Sequence, residues 1–461
     1  MTTRTFTSLL LAAALAGCSS NGSPADGGGT PDGGSDPDGG GNPDGGSNPD
    51  GGSIPDGGSN PDGGTPDGGT GDGGPCIGSA LLGGLGKTKL MVGASMSDAT
   101  DDAGPWDVRY EYIAGGLFDS TTPCADCRAS CSANGSTCAN GACGWWGCFQ
   151  EVDRAPGLYI QRFVDYEHGK ARIPMVTYYE ILQSNPGVGD GLAEVTSSAS
   201  STAVMGRYFN DFRFLLQNIN ASTAGVTFVQ IEPDFWGYAQ HVNNDPTKIP
   251  AAVASVNPTD CSGQPNTIAG MDHCLIAMAR KYAPAVRVGL HGSSFGPGID
   301  ATANNDPSVD IAAEGRKLGN FLLAVGAGDG DFVTVDASDR DAAWYQLVQG
   351  QNRAWDATNA TIPNFHQAFT WAKALAETVN RPIVFWQVPV GNAAQNNTKN
   401  HYKDNRVDYF FAHTDELATA HVAGIFFGAG DGDQTTPETD GNNLINKVKA
   451  YGAAGGQRLC P

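Results

Sequence analysis

The chain has 461 residues, a formal net charge of −22 and only 16% charged residues. The charges are unevenly spread: 39 of the 49 acidic and 26 of the 27 basic residues lie in 75–461, which gives that part a net charge of −13. Such an acidic domain repels phosphate backbones, so the composition excludes nucleic acid as a partner.

The first seventeen residues read as a signal peptide. Arg4 supplies an early positive charge, an apolar run covers residues 9–15, and small residues lead to Cys18. A transmembrane helix needs roughly 20 apolar residues, so this run is too short to span a bilayer.

Leu15-Ala16-Gly17-Cys18 resembles the lipobox of bacterial lipoproteins. The resemblance implies that a lipid is attached to the Cys18 thiol and that the freed amine is acylated, which anchors the chain in a membrane. Ser19 after the cysteine favours the outer membrane, so we expect an extracytoplasmic, lipid-anchored protein of the outer membrane or cell surface. An ordinary secretory signal with a chance cysteine is the alternative.

Residues 18–74 are predicted to be the lipidated cysteine and a disordered linker. Seven copies of Pro-Asp-Gly-Gly, ten aspartates and no Lys or Arg leave nothing from which a core could form. As a Gly-rich coil this segment would reach roughly 40 Å from the membrane. A calcium-binding β-roll is the alternative, but it requires interleaved apolar positions, and Ile54 is nearly alone.

Ten cysteines remain after Cys18, and export places them in an oxidising compartment, so we expect five disulfides. Cys76 and Cys460 bracket the domain, and Cys261 and Cys274 could close a short loop. Six cysteines between positions 124 and 148 are predicted to staple one insertion. Structural zinc is the alternative for this group, because its spacing loosely matches a zinc site.

Residues 75–461 contain no second linker and are predicted to form one domain. Short apolar runs rich in β-branched and aromatic residues alternate with amphipathic stretches of helical length, which is typical of a parallel sheet with crossover helices. The predicted strands are Lys89 to Ser95, Arg109 to Ile113, Arg172 to Tyr179, Val226 to Ile231, Val286 to Leu290, Phe332 to Val335, Ile383 to Gln387 and Val422 to Phe427.

Helical periodicity covers several segments between these strands. They are Leu158 to His168, Ser200 to Asn218, Asp310 to Ala324, Ile362 to Val379, Arg406 to Thr419 and Asn443 to Ala450. The pattern predicts an α/β fold, a (β/α)8 TIM-like barrel with a disulfide-rich insertion after strand 2. A doubly wound open sheet is the alternative, although no Gly-rich phosphate turn follows the first strand.

Carboxylates follow the fourth and sixth predicted strands. Strand alternation predicts that Glu232 and Asp234 point inward, and the same argument applies to Asp336. Cleavage of a glycosidic bond requires one carboxyl group to protonate the leaving oxygen and a second to act as nucleophile or base. Glu232, Asp234 and Asp336 are therefore the catalytic candidates, while helix capping or pairing with arginine is the structural alternative.

The domain resembles (β/α)8-type glycoside hydrolases as a group, and Ile231-Glu232-Pro233-Asp234 resembles the Ile-Glu-Pro-Asp of family 6 cellulases. The large clan that uses glutamates on strands four and seven fits less well, since Gln387 stands where the second acid is needed. Acids on strands four and six, as in several α-glycosidase families, match Asp234 and Asp336 better.

A further group of residues is predicted to bind substrate at the same barrel mouth. It comprises Tyr178, Glu180, Trp236, His291 and Gln387. Gly292-Ser293-Ser294-Phe295-Gly296 has the literal Gly-x-Ser-x-Gly pattern of a serine hydrolase, but that elbow belongs to an open sheet. The Gly/Asp-rich loops at 326–331 and 428–433 do not match EF-hand spacing, so plain turns are preferred to calcium sites.

The sequence therefore predicts a surface-anchored glycoside hydrolase acting on an extracellular polysaccharide or oligosaccharide. We expect a monomer without metal or cofactor, whose partners are the carbohydrate and, through Cys18, a membrane. The alternative is a non-catalytic carbohydrate-binding or adhesion lipoprotein on a degenerate barrel, and Gln387 is the residue that favours it.

Overall fold

The computed structural model describes residues 76–114, 117, 156–181, 191–192, 194–430 and 432–459. The predicted signal peptide, Cys18 and the linker lie outside these residues, and so do the six cysteines between 124 and 148 and Cys460. Across the described residues, no helix combines the length and the apolar character that crossing a membrane requires.

Eight parallel strands close into a barrel in chain order, which confirms the predicted fold. Pairing of the first and last strands completes the closure, with Met91 opposite Gly424 and Ala94 opposite Phe427. The strands are β1 Met91–Ala94, β2 Val108–Ile113, β3 Ile173–Tyr178, β4 Thr227–Ile231, β5 Val286–His291, β6 Phe332–Asp336, β7 Ile383–Val388 and β8 Val422–Phe427.

Helices connect these strands and cover the barrel. They are α1 Ser79–Gly84, α2 Asp98–Ala103, α3 Leu158–Gly169, α4 Thr202–Ala221, α5 Phe235–Val242, α6 Ile268–Tyr282, α7 Ile311–Val325, α8 Phe365–Val379, α9 Arg406–Ala412, α10 Thr414–Thr419 and α11 Asn443–Ala453. Single helical turns occur at Glu194–Ser198, Pro246–Lys248, Ala327–Asp329, Ala342–Trp344 and Tyr345–Gln349. Helices α1, α2, α5 and α6 have no counterpart among the predicted elements, and the predicted helix Arg406 to Thr419 is divided at His413 into α9 and α10.

Side-chain caps fix where several helices begin. Ser201 accepts a hydrogen bond from the backbone N–H of Val204, and Asp310 accepts one from Ala313. Each cap satisfies a backbone donor that the first helical turn leaves without a partner, and such a cap contributes about 1 kcal/mol. Because these caps lie at the carboxyl ends of the strands, they also fix the loops around the barrel mouth.

Two apolar clusters follow from strand alternation. Alternate strand residues such as Val229, Val288 and Val333 face the helices and form the larger cluster. The intervening residues, among them Phe228 and Phe332, fill the barrel interior. Parallel strands buried on both faces must be apolar on both, which explains why the eight runs are recognisable in the sequence.

The pairing of Cys261 with Cys274 is confirmed, with 5.2 Å between their Cα atoms. Both sulfurs are buried, and the bond ties the segment before α6 to that helix. Cys76 also belongs to a disulfide, and its Sγ lies 3.8 Å from the carbonyl oxygen of Leu459. The predicted partner, Cys460, lies outside the described residues, so that pairing stays a prediction.

Replacing both Cys261 and Cys274 by alanine should lower the free energy of unfolding by about 3 kcal/mol, because the bond restrains a loop of roughly 15 residues in the unfolded chain. Urea unfolding followed by tryptophan fluorescence measures this change. Reducing agent should shift the midpoint of the wild-type protein further than that of the double variant. Equal stability of the two proteins would contradict a stabilising role for this disulfide.

Candidate active site

Three ionisable side chains meet at the carboxyl ends of neighbouring strands. His291 ends β5, Asp336 ends β6, and Asp234 follows β4. His291 Nε2 lies 3.1 Å from Asp336 Oδ2, and one donor atom from each of the three residues lies within 4.8 Å of the others. Two of the predicted strand-end acids, Asp234 and Asp336, therefore lie close together, and the strand that carries His291 lies between their strands.

The backbone after β4 is unusual and redirects the side chains there. Glu232 and Asp234 both have positive φ angles, 46° and 66°, which non-glycine residues rarely adopt. Pro233 separates them, and its carbonyl oxygen accepts a hydrogen bond from the Phe235 N–H at 2.8 Å. Each such conformation costs on the order of 1–3 kcal/mol, and this kind of strain is concentrated at functional sites.

Asp234 is partly exposed at the mouth and carries a perturbed carboxyl group. Burial raises its pKa to about 6, and the charge of Asp336 acts in the same direction. The charge of His291 opposes this shift, as does the Tyr179 hydroxyl, which donates to Asp234 Oδ2 at 3.4 Å. A carboxyl group with this pKa can give up or accept a proton near neutral pH.

His291 is completely buried. Burial alone lowers its pKa, but the charge of Asp336, their hydrogen bond and the charge of Asp234 together raise the pKa above its usual value. The two carboxyl groups therefore make this imidazole easier to protonate than a free histidine.

Aromatic rings line the interior below this cluster. The Trp386 ring lies 5.5 Å from His291 and 5.6 Å from Tyr112, measured between ring centroids. The Tyr112 hydroxyl donates to Gln387 Oε1. Gln387 has a positive φ of 54° at a register shift between β7 and β8, which directs its amide toward this tyrosine.

Glu232 lies apart from the Asp234, His291 and Asp336 cluster. Its carboxylate accepts hydrogen bonds from the backbone N–H groups of Glu180 and Ile181, at 3.1 to 3.3 Å. The side chain is fully buried, and Asp211 of α4 is among the groups that perturb it. The positive φ at Glu232 interrupts the strand alternation, so its side chain points toward the helices rather than inward.

Some of the predicted binding residues lie at the barrel mouth, and others lie away from it, as Glu232 does. Tyr178 donates to Asp211 at 2.8 Å, and Trp236 donates to the carbonyl oxygen of Ile231 at 2.9 Å. Both rings are buried, and Glu180 is buried as well. The structure thus brings His291 and Gln387 to the inner mouth and places Tyr178, Glu180 and Trp236 in packed surroundings behind it.

Tyr112 and Trp386 were not among the residues predicted for this region. The signal for Tyr112 was present, because it is the inward residue nearest the carboxyl end of β2. The signal for Trp386 was present as well, because alternation with the inward Val384 places it on the interior side of β7.

Asp234, His291 and Asp336 are also the described residues whose donor atoms are close enough together to meet on a cation. Two of the three contact each other directly, since 3.1 Å is a hydrogen-bond distance. The imidazole of His291 can also supply a positive charge beside Asp336. The expectation of a metal-free site stays a prediction.

Comparison with known proteins finds similar folds but no sequence relatives. No family model and no curated protein matches the chain. Three similar solved structures are a Cellulomonas fimi endo-beta-1,4-mannanase double mutant, a Bacillus subtilis mannanase and a GH26 beta-mannanase from Bacteroides ovatus.

The identities are 13%, 11% and 7%, and the TM-scores are 0.44, 0.44 and 0.43, in that order. The matches cover 82%, 82% and 83% of this chain and 74%, 90% and 95% of the other chains. At such identities the likeness concerns the barrel fold and leaves the reaction open.

Burial raises the pKa of Glu232 to about 8, although the backbone N–H groups of Glu180 and Ile181 lower it in part. The unfolded chain releases this proton near pH 4.5, so the folded state loses stability as pH rises from about 4.5 to 8. Glu232→Gln should remove this loss and reduce the stability difference between pH 5 and pH 8 by at least about 1 kcal/mol.

Chemical denaturation at the two pH values measures the change. Glu377→Gln is the matched control, because Glu377 is half-exposed and the bond to Lys373 lowers its pKa, so it titrates below this range. An unchanged difference in the Glu232 variant would show that this carboxyl group is already ionised at pH 5.

Proposed function

We propose that this protein is a retaining glycoside hydrolase that acts on an extracellular polysaccharide or oligosaccharide while lipid-anchored at the cell surface. The observation that carries the proposal is the pairing of Asp234 and Asp336 across one mouth, in different surroundings. Two carboxyl groups whose environments differ are what the acid and the nucleophile of such an enzyme require.

The spacing of the pair favours retention of configuration. Asp234 and Asp336 each place an oxygen within 4.8 Å of the other. Retaining enzymes hold their carboxyl groups about 5–5.5 Å apart, whereas inverting enzymes need roughly 6.5–9.5 Å to admit a water molecule. A separation of at most 4.8 Å between one oxygen of each group lies closer to the retaining range than to the inverting range.

The surroundings of Asp234 and Asp336 also suggest which of them is the acid and which is the nucleophile. Asp234, whose pKa is near 6, donates its proton to the leaving glycosidic oxygen. Asp336 attacks the anomeric carbon and forms a glycosyl ester, while the leaving group departs with the proton. Asp234 then takes a proton from water, which attacks the same carbon and releases Asp336.

The interior aromatic residues support sugar binding at this point. Tyr112 is partly exposed above the buried Trp386, and Tyr112 donates to the Gln387 amide. An aromatic face beside hydrogen-bonding amide and hydroxyl groups suits a sugar ring, because a sugar ring is apolar on one face and carries hydroxyl groups at its edge. We assign substrate contacts to these residues and to Tyr179.

Asp234→Asn should lower kcat/KM on the natural glycan by about 10³-fold, because proton donation is lost. It should retain much more activity on an aryl glycoside whose leaving group needs no proton. Asp336→Asn should abolish both activities, since no ester can form. Reducing-sugar release from a panel that includes β-mannan, cellulose and xylan measures the first activity, and chromophore release measures the second.

The same variants test the pH profile. Wild-type kcat/KM should fall above about pH 6, where Asp234 loses its proton, and Asp234→Asn should lack this limb. Asp415→Asn, an exposed acid at the start of α10, is the control and should behave as wild type. All assays contain EDTA. Full activity of both site variants would remove Asp234 and Asp336 from the mechanism, and glycan binding without turnover would favour the adhesion alternative.

The location can be tested on the full chain in a bacterial host with lipoprotein processing. Wild-type protein should incorporate a palmitate analogue and fractionate with membranes, whereas Cys18→Ser should do neither, because Cys18 supplies the thiol of the predicted lipobox. Ser20→Ala is the control and should stay in the membrane fraction. Membrane association of unlabelled Cys18→Ser protein would contradict a lipid anchor.

A further inference from the structure

A polar layer lies directly beneath the acid pair. Thr177, Gln230, His291 and Thr334 come from β3, β4, β5 and β6, four consecutive strands of the barrel. All four side chains are fully buried. Below them Phe228 and Phe332 fill the interior, so the layer separates an apolar floor from the charged mouth.

Gln230 is the centre of this layer. Its Oε1 accepts a hydrogen bond from the Thr177 hydroxyl at 3.0 Å. Its Nε2 donates to Thr334 Oγ1 at 2.8 Å and lies 3.2 Å from His291 Nδ1. Thr334 Oγ1 in turn lies 3.3 Å from His291 Nδ1 and donates to the carbonyl oxygen of Leu290 at 3.4 Å.

This orientation of the amide selects one neutral form of the imidazole. Because Gln230 Nε2 offers a proton to His291 Nδ1, that nitrogen acts as acceptor and the ring proton lies on Nε2. Nε2 lies 3.1 Å from Asp336 Oδ2, so in this tautomer the ring proton is on the nitrogen next to the carboxylate. The tautomer is thus fixed by the group on the far side of the ring from the acid pair.

The opposite orientation of the amide serves the charged ring equally well. With Oε1 and Nε2 of Gln230 exchanged, Oε1 accepts from His291 Nδ1–H and from the Thr334 hydroxyl. Nε2 then donates to Thr177, whose hydroxyl oxygen can also accept. Both states of His291 therefore keep a hydrogen bond between Nδ1 and the Gln230 amide without any movement of the backbone, while the Thr334 hydroxyl donates to Leu290 in one state and to Gln230 in the other.

We propose that Gln230 is a positioning residue whose amide supports both charge states of His291 and thereby lets the charge that opposes Asp336 change during the reaction. This inference rests on the proposed hydrolase function for its catalytic meaning. The control of His291 by Gln230 is a property of the folded protein and can be measured without any substrate.

The catalytic meaning follows from the change of charge at Asp336. Before attack, Asp336 is an anion beside His291, and after attack it is a neutral ester. A fixed positive charge would stabilise the first state and oppose the second, which slows ester formation. An amide that can accept from or donate to Nδ1 lets the charge on His291 follow the reaction, because Nδ1 keeps a hydrogen-bond partner in either protonation state.

The charged groups facing His291 are few among the described residues. Asp336 faces it from β6 and Asp234 from the end of β4, and both favour the imidazolium. The neighbouring ring on β7 is the neutral Trp386. Gln230 is thus a neutral residue in contact with His291 Nδ1. Its replacement changes the electrostatic environment of that nitrogen without altering either carboxyl group of the acid pair.

The test measures the pKa of His291 by NMR of protein labelled with 15N-histidine, in EDTA, for the wild type and two variants. Gln230→Glu should raise this pKa by about one unit or more, because a buried carboxylate would contact Nδ1. Gln230→Met, similar in volume, should lower it by about one unit, because the charged ring loses its amide acceptor. His291→Gln protein identifies the resonance.

Gln240→Glu is the matched control, since Gln240 is another buried glutamine, on α5, and its amide contacts Asn244 and Lys317. It should leave the His291 pKa unchanged. Thermal unfolding checks that each variant is folded, and if Gln230→Met does not fold, the isosteric Gln230→Glu decides alone. A His291 pKa in folded Gln230→Glu that equals the wild-type value would overturn the proposal.

Kinetics then separate this inference from the proposed function. If the wild type hydrolyses a glycan, Gln230→Glu should lower kcat by about tenfold or more while KM changes little, because the retained imidazolium opposes ester formation. If the wild type shows no hydrolysis, the proposed function fails, and the NMR result still decides whether Gln230 controls His291.

Discussion

Closure of the barrel is the constraint on which the arrangement of the site depends. Pairing of β1 with β8 fixes the circular order of the strands, so the carboxyl ends of β4, β5 and β6 must be neighbours. Asp234, His291 and Asp336 are 57 and 45 residues apart in the chain and meet only because of this order. An open sheet would not bring them to a common mouth lined by β2 and β7 as well.

Much of this barrel could be predicted because its strands are buried on both faces. The apolar runs that identified Val226 to Ile231 and Phe332 to Val335 fill the barrel interior with one set of alternate residues and the helix interface with the other. The strand ends differ from the predictions by only a few residues. Helix α6 was missed because Gly270 and Cys274 interrupt its pattern, and packing with the disulfide outweighs the low helix propensity of these residues.

The site was less predictable because its backbone departs from regular geometry. In a regular strand, Glu232 and Asp234 would point to the same face because they are two residues apart. The positive φ at both residues ends this alternation, so their side chains point in different directions. Gln387 is affected similarly, because the register shift in β7 decides which group its amide contacts. These conformations depend on tertiary contacts, such as the N–H groups of Glu180 and Ile181 that hold Glu232, and local sequence does not encode them.

The same turn explains how two acids two residues apart acquire different chemistry. Glu232 is directed behind the strand, where full burial makes its charged form unfavourable and raises its pKa to about 8. Asp234 is directed to the mouth, where the Tyr179 hydroxyl and the charge of His291 limit the rise to about 6. A regular strand would have left both acids on one face and in one environment, so the positive φ angles at this turn are what give the two carboxyl groups different surroundings.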